Sequence, residues 1–442
     1  GMWFNLLSTW AEQARGWTDY MARSSYMLQQ GNNVADVAYF YGDEANATAL
    51  FDKQKPAIPS SCNMDFINSD ILCHHLDADG GRLVTPGGSR YRILVLGGTS
   101  DRLSLASLQA VKRLADQGAT IVGRRPARAM GLKADSAEFD RIADDLWSGK
   151  RSNIVDTGST RHAIDSLLDV PDFRCTHMDS IRYVHRTTGD AEIYWVNNRS
   201  KSDMHDWFEF RTTGRKPQIW NAVTGEISDV TYMIGSRSTY VEMDLKSADA
   251  LFVVFSGEAD KRLRHRATES LPLRSDTIAS PWRVVFGRKM GTPDAIVMDS
   301  LKSYIDTTLA IANPAEARAV KYFSGTAAYH NRFFLGAVDS ARIYRIDLGT
   351  VNYMAEVWVN GKYCGLTWFS PHSIDISTAV KSGENALEIR VTNPWKNRIC
   401  GDKLAKAGET TYTWTSYPWS KKNKNILMPA GLLGPVTITL YK

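Results

Sequence analysis

Three hydrophobic patterns follow one another along this chain. The stretch TWAEQARGWTDYMARSSYMLQQG, residues 9–31, repeats apolar side chains at the helical interval, with Trp10, Ala14, Trp17, Met21 and Leu28 on one face. Thr9 followed by Glu12 has the form of a capping box, and Gly31 is a natural stop. From residue 33 short apolar runs alternate with amphipathic ones. VADVAYFYG (34–42), YRILVLGG (91–98) and ATIVG (119–123) predict strands, the second a nearly continuous apolar run as expected of a strand buried on both faces. DFINSDILCHHL (65–76), SLASLQAVKRLADQG (104–118) and SAEFDRIADDLW (136–147) predict helices, and NIVDTG with RHAIDSLL continues the alternation. This is the pattern of a doubly wound parallel α/β domain over residues 33–175, behind an N-terminal amphipathic helix in residues 1–32.

Beyond residue 175 the period becomes two. AEIYWVNN, DWFEFRTT, PQIWNAVTGEI, TYVEMDL and ALFVVFS predict a small antiparallel β-sandwich over 176–256. SGEADKRLRHRATES follows, charged and without apolar periodicity, so residues 257–280 read as a linker. PWRVVFG, ARIYRIDLG, AEVWVNGKYCGLTWF, NALEIRVTN and GPVTITLYK then predict a larger jelly-roll β-sandwich over 281–442. Asn360-Gly361 within it is a strong two-residue hairpin signal. The fold class is multidomain, α/β plus all-β.

Composition narrows the function classes. A net charge of +5 over 442 residues gives no footing for nucleic-acid binding. The 13 Trp and 18 Tyr residues enlarge cores, but they also supply flat faces on which sugar rings stack. Five scattered cysteines, without a CxxC pair, suggest neither a disulfide framework nor a zinc site. No apolar run approaches the ~18 residues of a membrane span, and GMWFNLL lacks the basic and long apolar regions of a signal peptide.

Candidate chemistry is sparse. LGGTSD (96–101) sits between a strand and a helix, but GxGxxG and GxxxxGK[ST] are missing, so a plain turn is expected. Ser100 lacks the GxSxG frame of a nucleophile elbow. CHHLDAD (73–79) gathers metal-ligating types, yet adjacent His74 and His75 point about 100° apart on a helix, and a helix end followed by a polar turn is expected. Asp36, Asp43 and Glu44 flank the first α/β strand, where open sheets bind ligands, and offer the alternative of a self-contained glycoside hydrolase.

Several stretches together resemble glycoside hydrolase family 106, the α-L-rhamnosidases. TWAEQARGWTDYMARSSYMLQQG with VADVAYFYGDE is similar to the segment after that family's catalytic barrel. DFINSDIL, GGRLVTPGGSRYRILVLGG and GATIVGRRP resemble its amidotransferase-like α/β domain, and KPQIWNAVTGEI a phrase of its small sandwich. KYFSGTAAYHNRFFL, RIDLGTVNYMAEVWVNGKYCGLTWFSP, GENALEIRVTNPWKNRICGD and PAGLLGPV resemble its terminal sandwich, which is also like the galactose-binding-like domain of family 2 glycosidases. Ser24 stands where the resemblance leads us to expect Cys.

The resemblance implies a barrel upstream of residue 1, bearing both catalytic carboxylates and a calcium site. No catalytic residue, metal ligand or cofactor is therefore expected in this chain. The implied role is the accessory, non-catalytic portion of a bacterial, periplasmic or secreted enzyme of polysaccharide degradation. Trp10, Trp17 and Met21 would face the missing barrel or a second copy. In the terminal sandwich Glu356, Trp358 and Asn360 lie on the face opposite Val357 and Val359. Trp358, Trp368, Trp395 and Asn397, the last three in or beside turns, are the candidate contacts for a rhamnose-containing polysaccharide. A structural or partner-binding remnant, without glycan binding, is the third reading.

Overall fold

The computed structural model describes residues 7–44, 56–131, 135–259, 264–267, 271–287, 290–413 and 426–442. It divides into two compact units, Ala22–Thr268 and Gly1–Met21 with Glu269–Lys442.

The first unit holds a five-stranded parallel sheet. Met64–Ile67, Val37–Phe40, Ile93–Leu96, Thr120–Val122 and Ile154–Val155 are neighbours in that order, which is 2-1-3-4-5 along the chain. Val37–Phe40 and Ile93–Leu96 are buried at every position, because both faces are covered. Ala38, Phe40 and Leu94 pack with Leu108 and Val111 of helix α2 (Leu105–Asp116) and with Phe139 and Ile142 of α3 (Ser136–Leu146). On the other face Val37, Tyr39 and Val95 pack with Ala163 and Ile164 of α4 (Thr160–Leu167). Both longer helices start on side-chain caps: Ser104 Oγ accepts the Ser107 amide, and Asp135 Oδ1 accepts that of Glu138. Residues 65–76, predicted helical throughout, instead open as the strand Met64–Ile67, with only a single helical turn at Ile71–His75. Pairing along the whole of Val37–Phe40 outweighs the helical spacing there.

A small β-sandwich completes this unit. One sheet contains Ile181–Thr187, Ala191–Asn198, Ala250–Glu258 and Arg215–Trp220; the other contains Phe173–Arg174, Met204–Phe210, Thr239–Leu245 and Arg264–His265. Phe173, Tyr194, Phe208, Phe210 and Phe255 fill the space between them.

The second unit is an antiparallel sandwich. Its four-stranded sheet joins Pro272–Thr277, Thr437–Tyr441, Ile343–Asp347 and Ser373–Asp375. Its six-stranded sheet includes Trp282–Phe286, Gly325–Leu335, Gly383–Asn393, Met354–Val359 and Lys362–Thr367. Trp282, Tyr329, Ile346, Val357, Val359 and Ile389 lie in one core between the sheets. The last two strands meet through Asn360 and Gly361, at φ of 54° and 78°, the left-handed pair that a tight hairpin needs. Parts of the predicted linker 257–280 are strand: Arg264–His265 pairs within the small sandwich, and Pro272–Thr277 pairs with Thr437–Tyr441, while residues 260–263 and 268–270 of that stretch lie outside the described residues.

The N-terminal helical segment also departs from expectation. Ala11–Gln13 form one tight turn and α1 runs Arg15–Leu28. Thr9 does not cap it; the residue preceding the first turn is Trp10, which makes no side-chain cap bond. The deepest side chains are Gln13, Ser24 and Met27, whereas Met21 is 42% exposed, so the predicted stripe is interrupted.

Candidate functional site

The reversal of strand order lies between Val37–Phe40 and Ile93–Leu96, the place where open α/β sheets usually bind ligands. Here that crevice is occupied by the protein's own bonds. Asp43 Oδ1 accepts from Ser69 Oγ at 2.5 Å and Ser107 Oγ at 2.7 Å, and Oδ2 accepts the Ser104 amide at 2.8 Å. Glu44 pairs with Arg102 at 3.4 Å. In the following turn the Gly98 amide donates to the Tyr39 hydroxyl, and the buried Ser100 hydroxyl donates to Gly97 O. A Cβ on Gly97 would stand 2.0 Å from the Tyr39 oxygen, so the tyrosine fills the space a phosphate would need.

Asp36 enters a buried ionic chain. Arg211 donates to both of its oxygens, at 2.9 and 3.1 Å, and to Asp172 Oδ1 at 3.1 Å. His185 lies between Asp172 and Glu192, 2.9 Å from each, and stacks on Tyr194 at 3.8 Å. Burial raises the Asp36 pKa, with the Arg211 charge opposing it. For His185, burial disfavours the imidazolium, but the Asp172 charge and the bonds to Asp172 and Glu192 outweigh it and raise the pKa. These groups hold the parallel-sheet region to the small sandwich.

In the terminal sandwich the predicted residues separate. Val357 and Val359 are in the core and Glu356 and Trp358 point the other way. Arg390 lies 4.0 Å from the centre of the Trp358 ring, and Tyr363 meets it edge-on at 5.2 Å. Trp395 Nε1 donates to Leu7 O at 2.7 Å. Asn397 is 1% exposed, and its amide both donates to Met428 O and accepts from Met428 N, so it clamps the chain and presents no polar atom outward. Trp368 does line a cleft. It joins Trp10, Trp17, Tyr353, Met354 and Pro394 around about 300 Å³ of mostly apolar space. Tyr20 packs edge-on to Trp368 at 5.5 Å, and Gly16 leaves no room for a Cβ beside Leu366. Tyr353, Met354 and Pro394 carried no signal in the sequence beyond lying next to strand ends.

Asp77 and Asp79 of CHHLDAD pair with Arg113 and Arg90, and His74 with Asp70. Among the described residues no group of three or more His, Cys, Asp or Glu could hold a metal ion. No described helix is long and apolar enough to cross a membrane.

Comparison with known proteins accords with this architecture. Residues 303–427 match the glycosyl hydrolase 2 galactose-binding domain-like family. A solved rhamnosidase from Novosphingobium sp. PP1Y is 36% identical and superposes on 100% of this chain, and 42% of its own, with a TM-score of 0.90. A protein from Formosa agariphila named "Putative beta-glucuronidase" is 23% identical, covering 99% of this chain and 58% of its own length. The chain thus spans about half the length of these relatives. The alpha-L-rhamnosidase family model, glycosyl hydrolase family 106, matches residues 1–234, more than half of the chain, and the chain belongs to that family.

Proposed function

We propose that this chain is the accessory, non-catalytic portion of an α-L-rhamnosidase-like glycoside hydrolase acting in polysaccharide degradation. The observation that carries this reading is the state of the strand-end carboxylates. Asp43 is saturated by two hydroxyls and an amide, Asp36 is held by Arg211, and Glu44 is paired with Arg102. Hydrolysis needs two carboxyl groups facing each other across a sugar, and these three are turned to their own neighbours. The acid, the base and calcium then belong to the further length found in the relatives. The parallel-sheet domain, read as doubly wound and amidotransferase-like, serves as scaffold. The aromatic cleft at Trp10, Trp17 and Trp368 is the surface for a rhamnose-containing glycan, and the setting is periplasmic or secreted.

Hydrolysis of an aryl α-L-rhamnoside by the purified chain, with calcium added, tests the central statement. Release equal to buffer is the expected result. Turnover that survives repurification and disappears in Glu44→Gln would overturn it.

A further inference from the structure

A second concavity, within the Ala22–Thr268 unit, has a different chemistry. Arg82, Arg92, Arg211 and Arg237 line it together with Asp169 and Val170, around about 300 Å³. The four arginines come from distant parts of the sequence. Arg82 begins the short strand Arg82–Val84 and Arg92 precedes Ile93–Leu96, both in the parallel-sheet domain. Arg211 follows Met204–Phe210 and Arg237 precedes Thr239–Leu245, both in the small sandwich.

Three of them already have carboxylate partners. Arg211 is spent on Asp36 and Asp172, while Asp169 bridges Arg92, at 3.3 Å, and Arg237. Arg82 makes no ion pair or hydrogen bond with the described residues. The four guanidinium groups of the lining against Asp36, Asp169 and Asp172 leave one positive charge in excess. Like charges are not gathered around a hollow without cost: Arg82 is partly desolvated and repelled by Arg92 and Arg211, which lowers its pKa. A bound anion would remove that repulsion.

We propose that this pocket binds one oxyanion group, a sulfate, phosphate or carboxylate, with Arg82 as its main donor and Arg92 and Arg237 at the rim. Guanidinium forks suit this chemistry because they stay charged at every working pH and donate two parallel bonds to two oxygens. Arg211 fixes the floor, since its own position is set by two buried carboxylates. The inference does not depend on the rhamnosidase reading. The oxyanion is either free in solution or a substituent on a sugar chain, and the same pocket serves both.

The test is calorimetric titration of the whole chain with sodium sulfate, sodium phosphate, and a sulfated or uronate-bearing oligosaccharide, each at constant ionic strength set with chloride. Saturable binding of an oxyanion over chloride is expected, weakened at least about tenfold, or about 1.4 kcal/mol, in Arg82→Gln. Arg82 has no ion pair or hydrogen bond among the described residues, so this variant should unfold at the wild-type temperature. Arg174→Gln, outside the lining of this pocket, should bind like wild type. Tighter binding of the oligosaccharide than of the free ions would assign the site to a glycan substituent, and equal binding would assign it to a free ion. No saturable binding of any probe, or binding unchanged in Arg82→Gln, would overturn the proposal.

Discussion

Replacing Arg211 with methionine probes the ionic chain that joins the parallel-sheet domain to the small sandwich. Asp36 and Asp172 have side chains only 3% and 1% exposed, and Arg211 supplies the bonds to both oxygens of Asp36. Asp172 keeps His185, but Asp36 is left charged, buried and without its cation. Removing one partner of a buried pair costs about 3–5 kcal/mol, most of it the uncompensated charge. For a unit of this size each kcal/mol corresponds to ~2–4 °C in melting temperature, so Arg211→Met should melt roughly 6–20 °C below wild type. Circular dichroism reads the transition, and hydrogen exchange of Val37–Phe40 locates it. Adding Asp36→Asn to Arg211→Met should restore part of the loss, because the stranded charge is gone. The penalty should also depend on pH. Burial already raises the Asp36 pKa, and without the opposing Arg211 charge it rises further. A folded pKa above the unfolded one favours the native state at low pH, so the deficit should narrow as pH falls through the Asp36 pKa. A loss below about 1 kcal/mol at neutral pH would refute the reasoning, since it would mean that Asp36 reaches water by another route.

Two further outcomes follow from buried polar groups. Ser24 is 8% exposed and its hydroxyl has no hydrogen-bond partner among the described residues, so Ser24→Ala or Ser24→Cys should raise stability by about 1 kcal/mol, measured by urea unfolding; a decrease would show that the hydroxyl is bonded in solution. His185 has a folded pKa raised above its unfolded value, so its charged form contributes stability that is fully present below the unfolded pKa and fades as pH rises through the folded one. The stability difference between wild type and His185→Gln should therefore be largest in mild acid and shrink toward alkaline pH, and a difference that grows with pH would contradict the raised pKa.

Much of the fold is legible where the signal is local. Ile93–Leu96 reads as a buried strand because all four residues are apolar, and α2 reads as a helix because Ser104 precedes an amphipathic run. Asn360-Gly361 specifies its turn through two left-handed residues. The failures share a different cause. Pro272–Thr277 exposes all six residues and pairs with Thr437–Tyr441, at the far end of the chain, so nothing in its own composition marks it as a strand. Met64–Ile67 shows partial burial as an edge strand and so lacks the continuous apolar run of its neighbour. The arginine pocket draws on residues 82, 92, 211 and 237, and no periodicity connects them.

The tryptophans show how far strand parity reaches. Alternation along Met354–Val359 correctly turns Trp358 away from Val357 and Val359, but facing outward is not the same as facing solvent. What covers the ring is set across the sheet, where register places Glu356 opposite Arg390 and Trp358 opposite Glu388. Glu388 accepts from Arg390 Nε at 2.5 Å and so draws the guanidinium over the indole. Trp368 lies just beyond the end of the strand Lys362–Thr367 and meets Tyr20 and the cleft formed with Trp10 and Trp17. A sugar approaching Trp358 must displace a cation already bound to its face, whereas the cleft at Trp368 is concave and predominantly apolar. The same residue type within a hairpin and just past its end thus has two different capacities, and the difference lies in distant segments, Gly383–Asn393 for Trp358 and the N-terminal helical segment for Trp368, that neither residue's local sequence contains.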